Sequence, residues 1–190
     1  GLFMSVSIPH SFAERGIDRG AQLAGQVCAA CHGENGVTAT PEIPSLVGQS
    51  SAAIYKQLHD YRSGARVHPQ MTPVATQLTV PDLANIAVFY GRFADEVTGL
   101  GNRDLPGDPQ IVRLATEGDT ARHIPACDSC HVQGYGGPIE TPILTGQDAA
   151  YLVAQLTAYR DGTRRNDVYR RMRDIAGKLS DEEIQLLARY

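Results

Sequence analysis

The sequence predicts an all-α protein built from two tandem units related by internal duplication. Three observations carry this expectation. Apolar residues recur at three- and four-residue spacing in several stretches, and no stretch alternates as a half-buried strand would. Blocks of the first half return in the second at a nearly constant offset. Pro44-Ser45-Leu46-Val47-Gly48-Gln49 returns 98 residues later as Pro142-Ile143-Leu144-Thr145-Gly146-Gln147. Gln57-Leu58 returns as Gln155-Leu156, and Tyr61-Arg62-Ser63-Gly64 as Tyr159-Arg160-Asp161-Gly162. After a three-residue insertion, Met71 and Leu78 return as Met172 and Leu179, at an offset of 101. Residues 94–107 hold three glycines and one proline without helical periodicity, which is linker composition. The units are therefore expected at 1–98 and 99–190.

The elements follow from local chemistry. Residues 1–9 form a mildly apolar arm. A helix is expected over about 12–27, opened by Ser11 with Glu14 as a capping box and weakened by Gly16, Gly20 and Gly25. Residues 33–50, rich in Gly, Pro and Thr, read as a loop. A second helix over 51–61 puts Ile54, Leu58 and Tyr61 on one face, with Gly64 beyond its end. A loop then carries His68 and Met71. The last helix of this half spans about 80–92: Thr79 caps it, Pro81 suits its first turn, and Leu83, Ile86 and Tyr90 form its buried stripe.

The second half repeats the plan. Asp108 and Pro109 open a helix that ends near Gly118. Asp148 caps a helix running to Arg160, with Leu152, Leu156 and Tyr159 inward. Ser180 and Glu183 form a capping box for the last helix, whose stripe is Ile184, Leu187 and Ala188.

Chemistry concentrates in Cys28-Ala29-Ala30-Cys31-His32 and its repeat, Cys127-Asp128-Ser129-Cys130-His131. Two thiols at this spacing with a histidine after the second read as a covalent c-type haem site. The thiols add to the two vinyl groups of one porphyrin, and the adjacent histidine reaches the iron. All four cysteines are used in this way. A disulfide or redox pair leaves the histidine after each pair unexplained. A zinc site needs compact ligand spacing, whereas 95 residues separate Cys31 from Cys127. Two covalently attached haem c groups are expected, with His32 and His131 as proximal ligands.

The opposite face of each iron needs a further ligand. Met71 and Met172 are repeat-equivalent and follow the proximal histidines by 39 and 41 residues; Met4 has no counterpart. Methionine opposite histidine raises the reduction potential and leaves no open coordination position. His68 is the rival at the first iron, and His59 and His123 read as surface residues. Pro44 and Pro142 stand 12 and 11 residues after the histidines, where their carbonyls can accept the Nδ1–H and fix the ring. Arg62 and Arg160, with Tyr55, Tyr61, Tyr151 and Tyr159, are candidates to hold haem propionates, against the alternative of a solvated helix face. Arg164, Arg165, Arg170, Arg171 and Arg173 surround Met172. They form either a basic rim that steers an acidic redox partner or a solvated loop.

Composition narrows the partners. The formal charge of −4 argues against a nucleic-acid reader. No apolar run reaches about 18 residues, so no membrane helix is expected. The arm lacks the basic and apolar regions of a signal peptide. Haem attachment of this type happens outside the cytoplasm, so a leader removed before Gly1 is expected.

From about Gly20 onward the chain resembles the di-haem cytochrome c4 family. The resemblance rests on two CxxCH motifs, two PxLxGQ stretches, a QL-x-x-Y-R-x-G helix in each half, and Met-(x)6-Leu before each last helix. It implies two class I cytochrome c domains, back to back, with haems close enough to exchange electrons. It also implies a periplasmic electron carrier rather than an enzyme, passing electrons from a donor such as a quinol-oxidising complex to an acceptor such as a terminal oxidase. By match, His32 and Met71 would bind one iron, and His131 and Met172 the other. Two positions depart from the pattern: Val132 stands where the first half has Gly33, and Ile111 stands near the place of Gly20. The alternative is the cytochrome subunit of a dehydrogenase acting on an alcohol, sulfide or another small substrate. A di-haem enzyme would need an open iron or a cysteine ligand, and no cysteine is spare.

Overall fold

A computed structural model describes residues 12–93, 107–131 and 137–190. The arm 1–9, the expected cap Ser11, the linker as far as residue 106 and Val132 lie outside the described residues. Among the described residues the secondary structure is helical, apart from one isolated bridge between Asp119 and Ile124. No described helix is long and apolar enough to cross a membrane.

Helix α1 (Phe12–Leu23) runs into a π-helical turn (Ala24–Cys28) and then into the short α2 (Ala29–His32). The helix expected to end near residue 27 therefore carries the first haem motif at its end. A π turn holds one extra residue and rotates the motif relative to the face that α1 buries. Gly33 stops the chain at φ 82°, and a Cβ there would lie 2.0 Å from the Val37 carbonyl oxygen.

Helix α3 (Ser51–Ser63) starts at Ser50, whose hydroxyl accepts the Ala53 amide at 3.1 Å. Helix α4 (Met71–Gln77) lies where the sequence reads as a loop. It has only two turns and carries Pro73, so its periodicity is too short to register. Helix α5 (Val80–Gly91) begins as expected, with Thr79 and Asp82 in a reciprocal capping box. Leu83, Ile86 and Tyr90 are at most 1% exposed, and with Leu23, Ile54 and Leu58 they form the first core. Each such aliphatic side chain contributes roughly 1.5–3 kcal/mol by leaving water.

Helix α1 crosses α5 at Gly20. A Cβ at this position would meet the Asn85 carbonyl oxygen at 2.2 Å and the Phe89 Cβ at 2.7 Å. Both neighbours are fixed parts of a packed helix, so only hydrogen fits.

In the second half, α6 (Pro109–Thr116) is capped by Asp108, and α7 (Asp128–His131) carries the second haem motif. Helix α8 (Ala149–Arg160) is capped by Asp148, α9 (Arg171–Ala176) carries Met172, and α10 (Asp181–Leu187) opens on the Ser180–Glu183 capping box. Leu114, Ile124, Leu179 and Ile184 form the second core, with Val153, Leu156, Ile175 and Leu187 packed against it. Ile111 is buried in α6, so the side chain that departs from Gly20 serves as core packing in this half.

In each half the capping carboxylate of the last helix also holds an arginine from an earlier segment. Asp82 pairs with Arg19 at 3.0 Å, and Glu183 pairs with Arg122 at 2.7 Å. Arg122 also pairs with Asp119. The Arg122 hydrogen bond holds the Glu183 carboxyl below the ordinary glutamate range.

Two outcomes follow. Gly20→Val is expected to destabilise the protein by about 2–3 kcal/mol, because the overpacked atoms include backbone; the readout is the urea midpoint at unchanged slope. Arg122→Gln tests the Glu183 pair. The folded-state value of Glu183 lies below its unfolded one, so the pair stabilises above about pH 4.3 and its contribution fades as pH falls through the folded value. The variant should lose up to about 1 kcal/mol near neutrality and converge on the parent in acid, as seen in urea midpoints across pH.

Candidate haem-binding sites

Both CxxCH motifs end a short helix, which brings the two thiols and the histidine to one end of a single turn. None of the four cysteines is in a disulfide. Burial pushes the Cys28 thiol up to about 11 and also raises Cys127.

His32 is 7% exposed at the end of α2, and its Nδ1 lies 2.8 Å from the Pro44 carbonyl oxygen. His131 Nδ1 lies 2.8 Å from the Pro142 carbonyl oxygen. A carbonyl only accepts, so in both rings Nδ1 carries the proton and donates. Burial lowers the pKa of both imidazoles, against the pull of the proline carbonyls, and favours neutral rings. The Nε2 lone pair is thereby left as a metal ligand in each. A fixed tautomer with its second nitrogen bonded to backbone is the donor that a haem iron requires.

Met71 opens α4 and packs, partly buried, against the first core, as does Cys28. His68 Nδ1 accepts the Gln70 and Met71 amides at 3.3 and 3.4 Å, which ties this ring to the start of α4. Met172 is partly buried in α9. The chain enters α9 through Tyr169 and Arg170, both in the left-handed region at φ 54° and 60°. The inserted residues of the second half fall in this approach. His59 and His123 are exposed.

The two PxLxGQ stretches face each other. Gln147 Oε1 accepts the Ser45 amide at 2.9 Å, and its Nε2 donates to the Ser45 carbonyl at 3.0 Å. Gln49 does the same to Ile143, accepting its amide at 3.0 Å and donating to its carbonyl at 2.6 Å. Ser45 and Ile143 are repeat-equivalent, so the contact has pseudo-twofold symmetry.

A second symmetric contact lies between α3 and α8. Arg66, 7% exposed, donates to Gln57 at 2.8 Å, to Tyr151 at 3.2 Å and to Gln155 at 2.7 Å. Arg164 donates to Gln155 at 2.8 Å, to Gln57 at 3.1 Å and to Asn166 at 2.9 Å. Each guanidinium also lies over a tyrosine, Arg66 over Tyr61 at 4.7 Å and Arg164 over Tyr159 at 4.4 Å. Every acceptor named here is neutral. Burial and the like charge of Arg66 push Arg164 below the ordinary arginine value. Two cations with neutral partners carry charge that a carboxylate, such as a haem propionate, would balance.

The structure redistributes the arginines read from the sequence. Arg62 donates to the Thr76 and Leu78 carbonyls and ties α3 to the end of α4. Arg160 pairs with Asp181 at 2.6 Å and ties α8 to α10. The inward pair is Arg66 and Arg164; their offset of 98 was visible in the sequence but their direction was not. Tyr151 lies within this cluster, whereas Tyr55 packs on the first core beside His59. Of the supposed basic rim, Arg164 turns inward and Arg173 is held by Asp167 at 2.8 Å. Arg165, Arg170 and Arg171 remain exposed.

Residues 15–89 match the protein family described as "Cytochrome C oxidase, cbb3-type, subunit III". The chain is 39% identical over 173 residues to cytochrome c4 of Pseudomonas aeruginosa, covering 89% of this chain and 84% of that protein. It is also 39% identical over 174 residues to a thiosulfate dehydrogenase electron acceptor of Stutzerimonas stutzeri, covering 90% of this chain and 80% of that one. Among solved structures, reduced recombinant cytochrome c4 from Pseudomonas stutzeri superposes with a TM-score of 0.77 at 32% identity, covering 95% of this chain and 97% of that one.

Cys28→Ala with Cys31→Ala, and separately Cys127→Ala with Cys130→Ala, should each remove one covalently bound haem and leave the other. Intact mass of the denatured protein reads the result.

Proposed function

The chain is a di-haem electron carrier of the cytochrome c4 family, and we propose that it works in the periplasm with two His/Met-ligated irons. In this reading His32 and Met71 would hold one iron, and His131 and Met172 the other. The observation that carries the reading is the matched pair of histidines, each with Nδ1 bonded to a proline carbonyl at 2.8 Å and Nε2 left for the metal. The haem, when bound, supplies a one-electron ferric–ferrous couple. The chain's residues hold and tune that couple. Methionine thioethers would favour the reduced form and would leave no open coordination position. Arg66 and Arg164 would hold the propionates and balance their charge.

In the same reading the two domains are 1–98 and 99–190, and the facing stretches support one interface between them. Donors of the quinol-oxidising type and acceptors of the terminal-oxidase type suit a carrier with raised potentials. The exposed Arg165, Arg170 and Arg171 favour an acidic partner on the second half. A second reading is supported by the equal 39% identity to a thiosulfate dehydrogenase electron acceptor. In that reading the donor is a dehydrogenase that oxidises a small sulfur compound, and the carrier chemistry is unchanged.

A potentiometric titration with optical and magnetic detection tests the ligands. Two low-spin His/Met haems are expected, and Met71→Leu and Met172→Leu should each abolish the methionine-to-iron band of one haem only. A band that survives either change overturns that ligand.

A further inference from the structure

The crossed glutamines have a chemical role beyond holding the halves together. The peptide bond between Pro44 and Ser45 is engaged at both ends. Its carbonyl oxygen accepts His32 Nδ1–H at 2.8 Å, and its amide donates to Gln147 Oε1 at 2.9 Å. The peptide between Pro142 and Ile143 is engaged likewise: its oxygen accepts His131 Nδ1–H at 2.8 Å, and its amide donates to Gln49 Oε1 at 3.0 Å. Each chain of bonds begins on a proximal histidine in one half and ends on a glutamine of the other.

Hydrogen bonds in series polarise one another. An amide that donates shifts electron density toward its own carbonyl oxygen, which then accepts more strongly. A stronger acceptor draws the Nδ1 proton, enriches Nε2 and stabilises the oxidised iron. Each glutamine thus bears on the ligand strength of a histidine it does not touch. The contact is two-pronged in both cases, because each Nε2 also donates to the carbonyl of the same residue. That fork holds the amide oxygen in line with the peptide N–H.

We propose that Gln49 and Gln147 are crossed positioning residues: Gln49 tunes the haem bound through His131, and Gln147 tunes the haem bound through His32. This rests on the di-haem reading above. It adds that each half sets part of the potential of the other half's iron.

The test uses the full-length holoprotein and the variants Gln49→Leu and Gln147→Leu, with redox titration followed by NMR. The shifted haem resonances are assigned to the His32 or the His131 site through contacts with flanking residues. Gln49→Leu should raise the midpoint potential of the His131 haem and leave the His32 haem in place; Gln147→Leu should do the reverse. A shift on the same-side haem, equal shifts on both, or no shift overturns the proposal. Gln49→Glu and Gln147→Glu keep the accepting oxygen and serve if the leucine variants fail to fold. Each should move the opposite haem downward by more than the same-side haem; equal movement means bare charge and overturns it. A holoprotein that lacks two redox-active haems would instead refute the underlying reading, which separates the two failures.

Discussion

An imidazole offers a metal its Nε2 when Nδ1 carries the proton, and in this protein a backbone carbonyl from a proline-led loop fixes that tautomer. The bonds from His32 to Pro44 and from His131 to Pro142 fix which nitrogen is bare and which way the ring faces. Much of the surrounding structure serves to keep those carbonyls still. The first motif is anchored by α1, whose crossing over α5 admits no side chain at Gly20. The second is carried by α7, in a half where Ile111 and Leu114 do the packing.

The interface between the halves has two layers of different character. The PxLxGQ layer pairs neutral amides with peptide groups and leaves both partners satisfied. The arginine layer gathers positive charge among phenols and amides. An interface of this second kind gains from an anion, since unpaired buried charge is costly. Cofactor carboxylates that neutralise the guanidiniums would stabilise the docked arrangement as well as the cofactor. Electron carrying and domain docking would then share the same side chains.

Much of the architecture was legible because it is written in local chemistry. Thr79 with Pro81, Asp108 with Pro109, and Ser180 with Glu183 start helices by satisfying orphan amides, and those signals need no tertiary context. The repeat at 98 residues exposed the paired motifs without any structure. What escaped depends on docking or on very short elements. Helices α4 and α9 are two turns or fewer and gain their stability from neighbours rather than from pattern. Arg62 and Arg66 stand one helical turn apart around the α3 terminus, and nothing local says which reaches the other half. The π turn before Cys28 has no sequence period of its own.

Duplicated domains ordinarily drift apart, each copy free to change where the other does not reach. The reciprocal grip of Gln49 on Ile143 and of Gln147 on Ser45 removes that freedom at one stretch. A substitution at either glutamine removes contacts to the main chain of the other copy, so the two PxLxGQ segments form one structural unit that spans both halves.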